Sequence, residues 1–343
     1  MEFDLIHRYF APLGLTNSAE QAAIDGTDIG IGDDGAVLSI PAGQQLVVVT
    51  DTLVSGVHFP ENTSAYDIAW KSLAVNLSDL AAMGATPFAY SLGLSLPLEC
   101  ASDEEWMQDF VQGFAELVKS TGLPIALVGG DTTRSKTLTL TVSAKGLVRS
   151  GQAVLRSGAQ SGDLIAVTGV LGEGALGLQV AFGNIDSELT AEQKQSALNA
   201  LNRPQPQLAL GMCLNQIANS AIDISDGLLQ DLGHIIKSST KRQAVLGKAV
   251  QLGAKIFLEK IPLSSGMQQL FASKVGWSLA LSGGDDYQLC MTVSPDKLTE
   301  LKMRADELGV EIAVIGEVAD GAGIKTYLDG KLVQQTEAGF QHF

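Results

Sequence analysis

The sequence predicts a two-domain α/β protein, and three observations carry that reading. β-Branched runs of strand length alternate with helical stretches along the chain. At 343 residues the chain is long for one core, at roughly 100–200 residues per domain. Ser-Gly pairs crowd together at 150–151, 157–158 and 161–162. They mark a break, giving domains over 1–150 and 151–343. With 45% hydrophobic and 17% charged residues, there is ample apolar material to offset chain entropy, which excludes a disordered chain.

In the first half, Gln45–Thr50 reads as a strand ending at Asp51. A helix is predicted over 65–83, stopped by Gly84 with Pro87 beyond. Ser102, with Glu105 three residues on, reads as a capping box opening a helix over 103–120. Pro124–Val128 is a second strand, running into Gly129-Gly130-Asp131. Leu138, Leu140, Val142 and Ala144 alternate with Thr139, Thr141 and Ser143, as on a half-exposed antiparallel strand.

Past the break, 163–169 reads as a strand opening an α/β domain, and 184–206 is polar with helical stretches. Ser220–Ile222 leads into Asp223-Ile224-Ser225-Asp226-Gly227 and a helix with Leu228, Leu229, Leu232, Ile235 and Ile236 on one face. A further strand, Trp277–Leu281, is predicted to run into Ser282-Gly283-Gly284-Asp285-Asp286. Gly-Gly-Asp thus occurs twice, each time expected directly after an apolar strand.

The 22 Lys and Arg against 38 Asp and Glu give a net charge of −16. That balance opposes sequence-independent nucleic-acid binding, which needs a basic face, and opposes adhesion to anionic lipid. An acidic enzyme acting on anions would need metal ions. The N-terminus has no basic start followed by an apolar run, so no secretory signal is expected. No stretch approaches the roughly 18 apolar residues of a membrane span. Cys100, Cys213 and Cys290 are isolated and the 4 His are scattered, so a thiolate or imidazole metal site is not expected. Buried free thiols in a reducing cytoplasm are.

The informative carboxylates sit beside glycine at predicted strand ends: Asp33, Asp34, Asp51, Asp131, Asp223, Asp226, Asp285 and Asp286. Asp79 lies instead on the 65–83 helix, where Ser72, Asn76 and Asp79 form one polar stripe on an otherwise apolar surface. A carboxylate there must be paired or metal-bound. Many hard oxygen ligands without His or Cys point to Mg²⁺. Glycine beside them suggests backbone closely approaching phosphate. No GxxxxGK[ST] or protein-kinase signature is present. Gly169, Gly172, Gly174 and Gly177 miss the GxGxxG spacing, so tight packing is the better reading of them.

Several long segments, in order, resemble one family. They are Ile31–Ala36, Thr50–Phe59, Lys71–Ala85, Gly129–Thr133, Arg156–Ala159, Ala221–Leu228, Leu281–Tyr287 and Gly339–Phe343. The chain is similar, nearly end to end, to the thiamine-monophosphate kinases, within the superfamily of aminoimidazole-ribonucleotide synthetase and selenophosphate synthetase. The resemblance implies an N-terminal mixed or antiparallel sheet with helices on one face and a C-terminal α/β domain. It implies ATP-dependent phosphorylation of thiamine monophosphate to thiamine diphosphate, with several Mg²⁺ ions, in a homodimer. Metal ligands would be Asp34, Thr50, Asp51, Asp79, Asp131, Asp223 and Asp226. Gly130, Asp131, Arg156 and Ser225 would contact ATP. His58 and Asp285 would contact the acceptor, Asp285 standing where the family more often has Glu. Near the C-terminus Glu337 and Phe340 would join them, Glu337 standing where the family has an aromatic residue and Phe340 supplying the stacking beside it. The acceptor is a phosphate, largely dianionic at neutral pH. It requires neither a general base nor a covalent nucleophile. Selenophosphate synthetase would want a reactive Cys near the N-terminus, and the hydrogenase-maturation member a terminal Cys. This sequence offers neither.

Overall fold

The computed structural model describes residues 6–14, 27–31, 34–185, 189–270 and 274–333. The chain divides into one unit of Met1–Leu80 with Ala85–Gly151, and another of Ala81–Gly84 with Gln152–Phe343.

In the first unit, β1 (Thr27–Ile29) and β2 (Val37–Leu38) form a small antiparallel pair. The main sheet holds β3 (Gln44–Val54), β4 (Thr86–Leu96), β5 (Ala126–Arg134) and β6 (Thr139–Arg149), in the order β3-β6-β4-β5. It is mixed, because β4 and β5 are parallel while β6 is antiparallel to both of its neighbours. Strand β4 is absent from the sequence reading. Two strands run further than expected. β3 continues through Asp51 to Val54, and β5 carries Gly129-Gly130-Asp131 inside it. Continuous pairing with β6 and β4 keeps these residues extended despite their turn-forming types.

Helix α1 (Ala65–Ala82) is buried over most of its length, and α2 (Glu104–Thr121) follows β4. The cap of α2 is Asp103, not Ser102. The Asp103 carboxylate accepts from the Glu105 and Trp106 N–H groups, while the Ser102 hydroxyl turns back to the Leu98 carbonyl. Both helices lie on one face of the sheet. Tyr90 of β4 stacks on Phe114 of α2 at 5.7 Å, and a Cβ on Gly146 of β6 would stand 3.1 Å from Leu80 of α1. The other face exposes Leu46 and Val48 of β3 and is otherwise polar or small, with Thr52 hydrogen-bonded to Thr141 and Lys145 donating to the Ser91 hydroxyl and the Ser143 carbonyl.

The second unit is built on β7 (Leu164–Thr168), β8 (Ser220–Asp223), β9 (Leu252–Phe257), β10 (Leu289–Val293), β11 (Ile312–Asp320), β12 (Gly323–Leu328) and β13 (Lys331–Val333). Their order is β13-β12-β9-β11-β7-β10-β8, antiparallel except for β12 with β9. Its main helices are α3 (Glu173–Ala181), α4 (Ala191–Asn202), α5 (Leu228–Val245), α6 (Lys274–Ser282) and α7 (Leu298–Leu308).

The predicted strand over Trp277–Leu281 is therefore helix. Leu281 and Trp277, one turn apart, pack into the core of Ile165, Ile222, Leu232 and Ile256, while Leu279 and Ala280 join the cluster around Leu176 and Met267. At nine residues the helix offers only Ser278 and Ser282 as partly exposed polar positions one turn apart, and the run of Trp277, Leu279, Ala280 and Leu281 suits a strand equally well. The second Gly-Gly-Asp accordingly follows a helix. The glycines after β7 serve packing, since a Cβ on Gly177 would collide with the Ala197 carbonyl of α4.

Candidate active site

In the first unit, β6 pairing sets the direction of each β3 side chain. Asp51 lies opposite Val142, on the helix-covered face, with Leu53 and Val47. There its carboxylate hydrogen-bonds that of Asp79 on α1, and burial pushes Asp51 above the usual carboxylate range. Two carboxylates in contact require a shared proton or a cation between them. Ser72 and Asn76, on the same stripe of α1, are buried. The Ser72 hydroxyl donates to Ala69 O and Asn76 Nδ2 to Ser72 O, while Asn76 Oδ1 has no hydrogen-bond partner. This hard-oxygen set fits an oxygen-coordinated divalent cation.

Strand alternation separates Thr50 from Asp51. Thr50 pairs with Ser143 on the opposite face, so its side chain does not meet the Asp51–Asp79 pair and only its backbone carbonyl remains a candidate. Asp34 is exposed ahead of β2. Gly130 and Asp131 lie exposed on β5, an edge strand, next to Leu92 and Gly93 of β4. A Cβ at Gly130 would collide with the Leu92 carbonyl, which restricts the position to glycine. His58 closes a turn after β3, and its Nδ1 accepts from the Val54 N–H at 3.0 Å. That bond sets Nε2 as the protonated nitrogen.

In the second unit, Asp223 ends β8 and is buried, and Ser225 and Asp226 occupy the turn into α5. This turn pairs with the one after α6. Ile224 N–H donates to Gln288 O at 2.7 Å, Tyr287 N–H to Ile224 O at 2.8 Å, and Asp285 N–H to Ser225 O at 3.0 Å. Ser225 and Asp285, chosen for different substrates, thus share one backbone ladder. Arg156 is exposed in the segment before β7. Glu337 and Phe340 lie outside the described residues.

Two buried carboxylates support these turns, and the sequence reading gave neither a task. Asp231, in the first turn of α5, accepts from the Ser225 and Asp226 N–H groups at 3.1 and 3.0 Å. Burial, with Asp223 and Asp226 nearby, pushes its carboxyl up to about 7. Asp286 accepts from the Gly172 and Gly174 N–H groups, and burial pushes it up to about 8. Acidic residues in a helical first turn are common enough to hide Asp231. Asp286 sat in plain view, but its donors lie far away in sequence. Among the described residues, no group of three or more His, Cys, Asp or Glu could hold a metal ion. Asp51 contacts Asp79, and the charges of Asp223 and Asp226 act on Asp231 without the three closing around one point.

Two family models match the chain, the N-terminal domain of AIR synthase related proteins over residues 32–148 and their C-terminal domain over 160–329. A thiamine-monophosphate kinase of Haemophilus influenzae is 39% identical over 349 residues, covering 100% of this chain and 98% of that protein. The chain belongs to the thiamine-monophosphate kinase family. Like that family it is a phosphotransferase, and its two-domain α/β fold is the family's. The crystal structure of the thiamine-monophosphate kinase from Stenotrophomonas maltophilia K279a matches with a TM-score of 0.79 and 41% identity, over 93% of this chain and 98% of that one. AaThiL complexed with AMPPCP and TMP matches with a TM-score of 0.73 and 28% identity, over 91% and 92%. Among the described residues, no helix is long and apolar enough to cross a membrane.

Proposed function

We propose that this chain transfers the terminal phosphoryl group of ATP to thiamine monophosphate, giving thiamine diphosphate and ADP. The observation that carries the reading is likeness over the whole length to thiamine-monophosphate kinases, one of them complexed with an ATP analogue and TMP. A phosphate oxygen of the acceptor forms the new bond to the γ-phosphorus as the bond to the ADP oxygen breaks. The acceptor oxygen carries no proton that must be removed, because the second ionisation of a phosphate monoester lies near pH 6. Transfer is therefore direct and in line, without a base or a phosphoenzyme.

The obstacle is repulsion between two polyanions, about 4 kcal/mol per pair of unit charges at 4 Å and an effective dielectric of 20. Bound Mg²⁺ supplies the charge screening and alignment that such a transfer needs. Several such ions belong to the reading, with Asp34, the Thr50 carbonyl, Asp51, Asp79 and Asp131 as ligands in the first unit and Asp223 and Asp226 as ligands in the second. Support comes from the Asp51–Asp79 contact and the buried Asn76 oxygen. Gly130, Asp131, Arg156 and Ser225 would contact ATP, and His58 and Asp285 the acceptor, with Glu337 and Phe340 as further acceptor contacts from the C-terminus. The domains assigned are 1–150 and 151–343.

The reading includes a homodimer through the outer face of the main sheet, supported by Leu46 and Val48, which are 41% and 54% exposed there. It also includes a cytoplasmic setting, supported by three free cysteines.

The test is ADP release with Mg²⁺, comparing thiamine monophosphate with thiamine as acceptor. Turnover is expected only with the monophosphate, and faster turnover of thiamine would refute the assignment. Asp51→Asn and Asp223→Asn should each remove Mg²⁺-dependent turnover while circular dichroism stays native. Wild-type rates in either variant would sink the metal assignment, and a phosphoprotein trapped from labelled ATP would sink direct transfer.

A further inference from the structure

The turn at 283–287 is held by two side chains to which neither the family likeness nor the mechanism gives a task. Asp286 is 8% exposed, and its two carboxylate oxygens accept from Gly172 N–H at 2.8 Å and Gly174 N–H at 3.2 Å. Those donors open α3, so one side of the turn is tied to a helix end. The other side is tied to the 223–227 turn through the bonds from Asp285 N–H to Ser225 O and from Tyr287 N–H to Ile224 O. Packing closes the remaining room, because a Cβ at Gly174 would collide with the Asp285 carbonyl.

Held in this way, the backbone takes left-handed conformations at Asp285 (φ 67°) and Tyr287 (φ 50°). Non-glycine residues adopt them only where their surroundings impose them. The Tyr287 hydroxyl then donates back to the Asp285 carboxylate at 3.1 Å. A side chain as short as aspartate reaches only as far as its backbone brings it.

We propose that Asp286 and Tyr287 are positioning residues for the Asp285 carboxylate at the acceptor end of the site. Asp286 fixes the backbone of the turn, and Tyr287 fixes the direction of the carboxylate. The proposal rests on the reading of Asp285 as an acceptor contact.

Two variants separate these tasks. Asp286→Asn turns one accepting oxygen into an amide that faces an N–H, and Tyr287→Phe removes only the hydroxyl. Steady-state kinetics, with each substrate varied in turn, are combined with hydrogen exchange read by mass spectrometry. Asp286→Asn is expected to speed exchange over 171–175 and 283–288. It should raise the KM for thiamine monophosphate about tenfold, with the KM for ATP within about twofold. Tyr287→Phe should raise the acceptor KM about threefold with exchange unchanged. A merely structural role would reduce the active fraction, lowering kcat and leaving both KM values alone.

An unchanged acceptor KM in folded Tyr287→Phe, or an equal rise of both KM values, overturns the proposal. Should the wild-type chain transfer nothing to thiamine monophosphate, the functional reading fails by itself. Exchange in Asp286→Asn then still decides the clamp, faster exchange supporting it and unchanged exchange overturning it.

Discussion

At the Asp286 carboxyl two demands oppose each other. The Gly172 and Gly174 N–H groups favour the charged form, while burial favours the neutral one and prevails, with the carboxyl pushed up to about 8. In the unfolded chain the same group titrates near 3.9. Between those values the native state holds a proton that the unfolded state has released, so stability falls as pH rises through the window. One such group contributes up to about 1.4 kcal/mol per pH unit. Asp231, pushed up to about 7, adds a slope of the same sign that is largely spent by pH 8. In metal-free buffer the thermal midpoint should fall from pH 5 to pH 8, and Asp286→Asn should flatten the last part of that fall. A calorimetric series in pH checks it, and identical slopes in both proteins would count against a buried titrating Asp286. At this scale the sequence told only part of the story. Its motifs named Asp285, but Asp286 meets Gly172 across 114 residues, and no local pattern records such a bond.

Between elements, two glycines make opposite forecasts. Gly113 sits where α2 crosses α1, and a Cβ there would run into the Tyr66 carbonyl and stand 2.9 Å from Ala69 Cβ. Gly113→Ala should therefore destabilise by about 1–3 kcal/mol through overpacking, despite alanine's better helix propensity. Gly233, within α5, has nothing within 4 Å of its would-be Cβ. There Gly→Ala should stabilise by about 0.5–1 kcal/mol. Urea midpoints of the two variants should move in opposite directions. Helix α1 was legible because its Gly84 stop and its apolar extent agree. The strand β4 and the helix α6 were not. β4 carries Pro87 near its start and an apolar stretch before Ser91, Gly93 and Ser95 begin to alternate with leucines, and α6 is only nine residues long, with Ser278 and Ser282 as its partly exposed polar positions. Asp51 and Asp131 read as residues at strand ends, and pairing with β6 and β4 carries the strands on past them.

For the whole molecule, composition and motif order carried most of the reading: two α/β halves, an acidic chain at −16, and the family. The outer face of the main sheet is the exception. A run such as Leu46 to Val49 does not announce that Leu46 and Val48 stay exposed while Val47 is buried. With the homodimer proposed through that face, Val48→Glu should shift the protein to monomer in light scattering, with secondary structure retained. A dimer of unchanged mass would place the contact elsewhere. The same strand has a consequence for how this chain can diverge. Because β3 alternates between two faces, removing or adding one residue before Asp51 would exchange them, turning the carboxylate outward and a neighbouring threonine inward. Substitutions on the outer side leave that parity intact. The strand can therefore drift in composition but not in length, and a gap in it would disable the protein where many replacements would not.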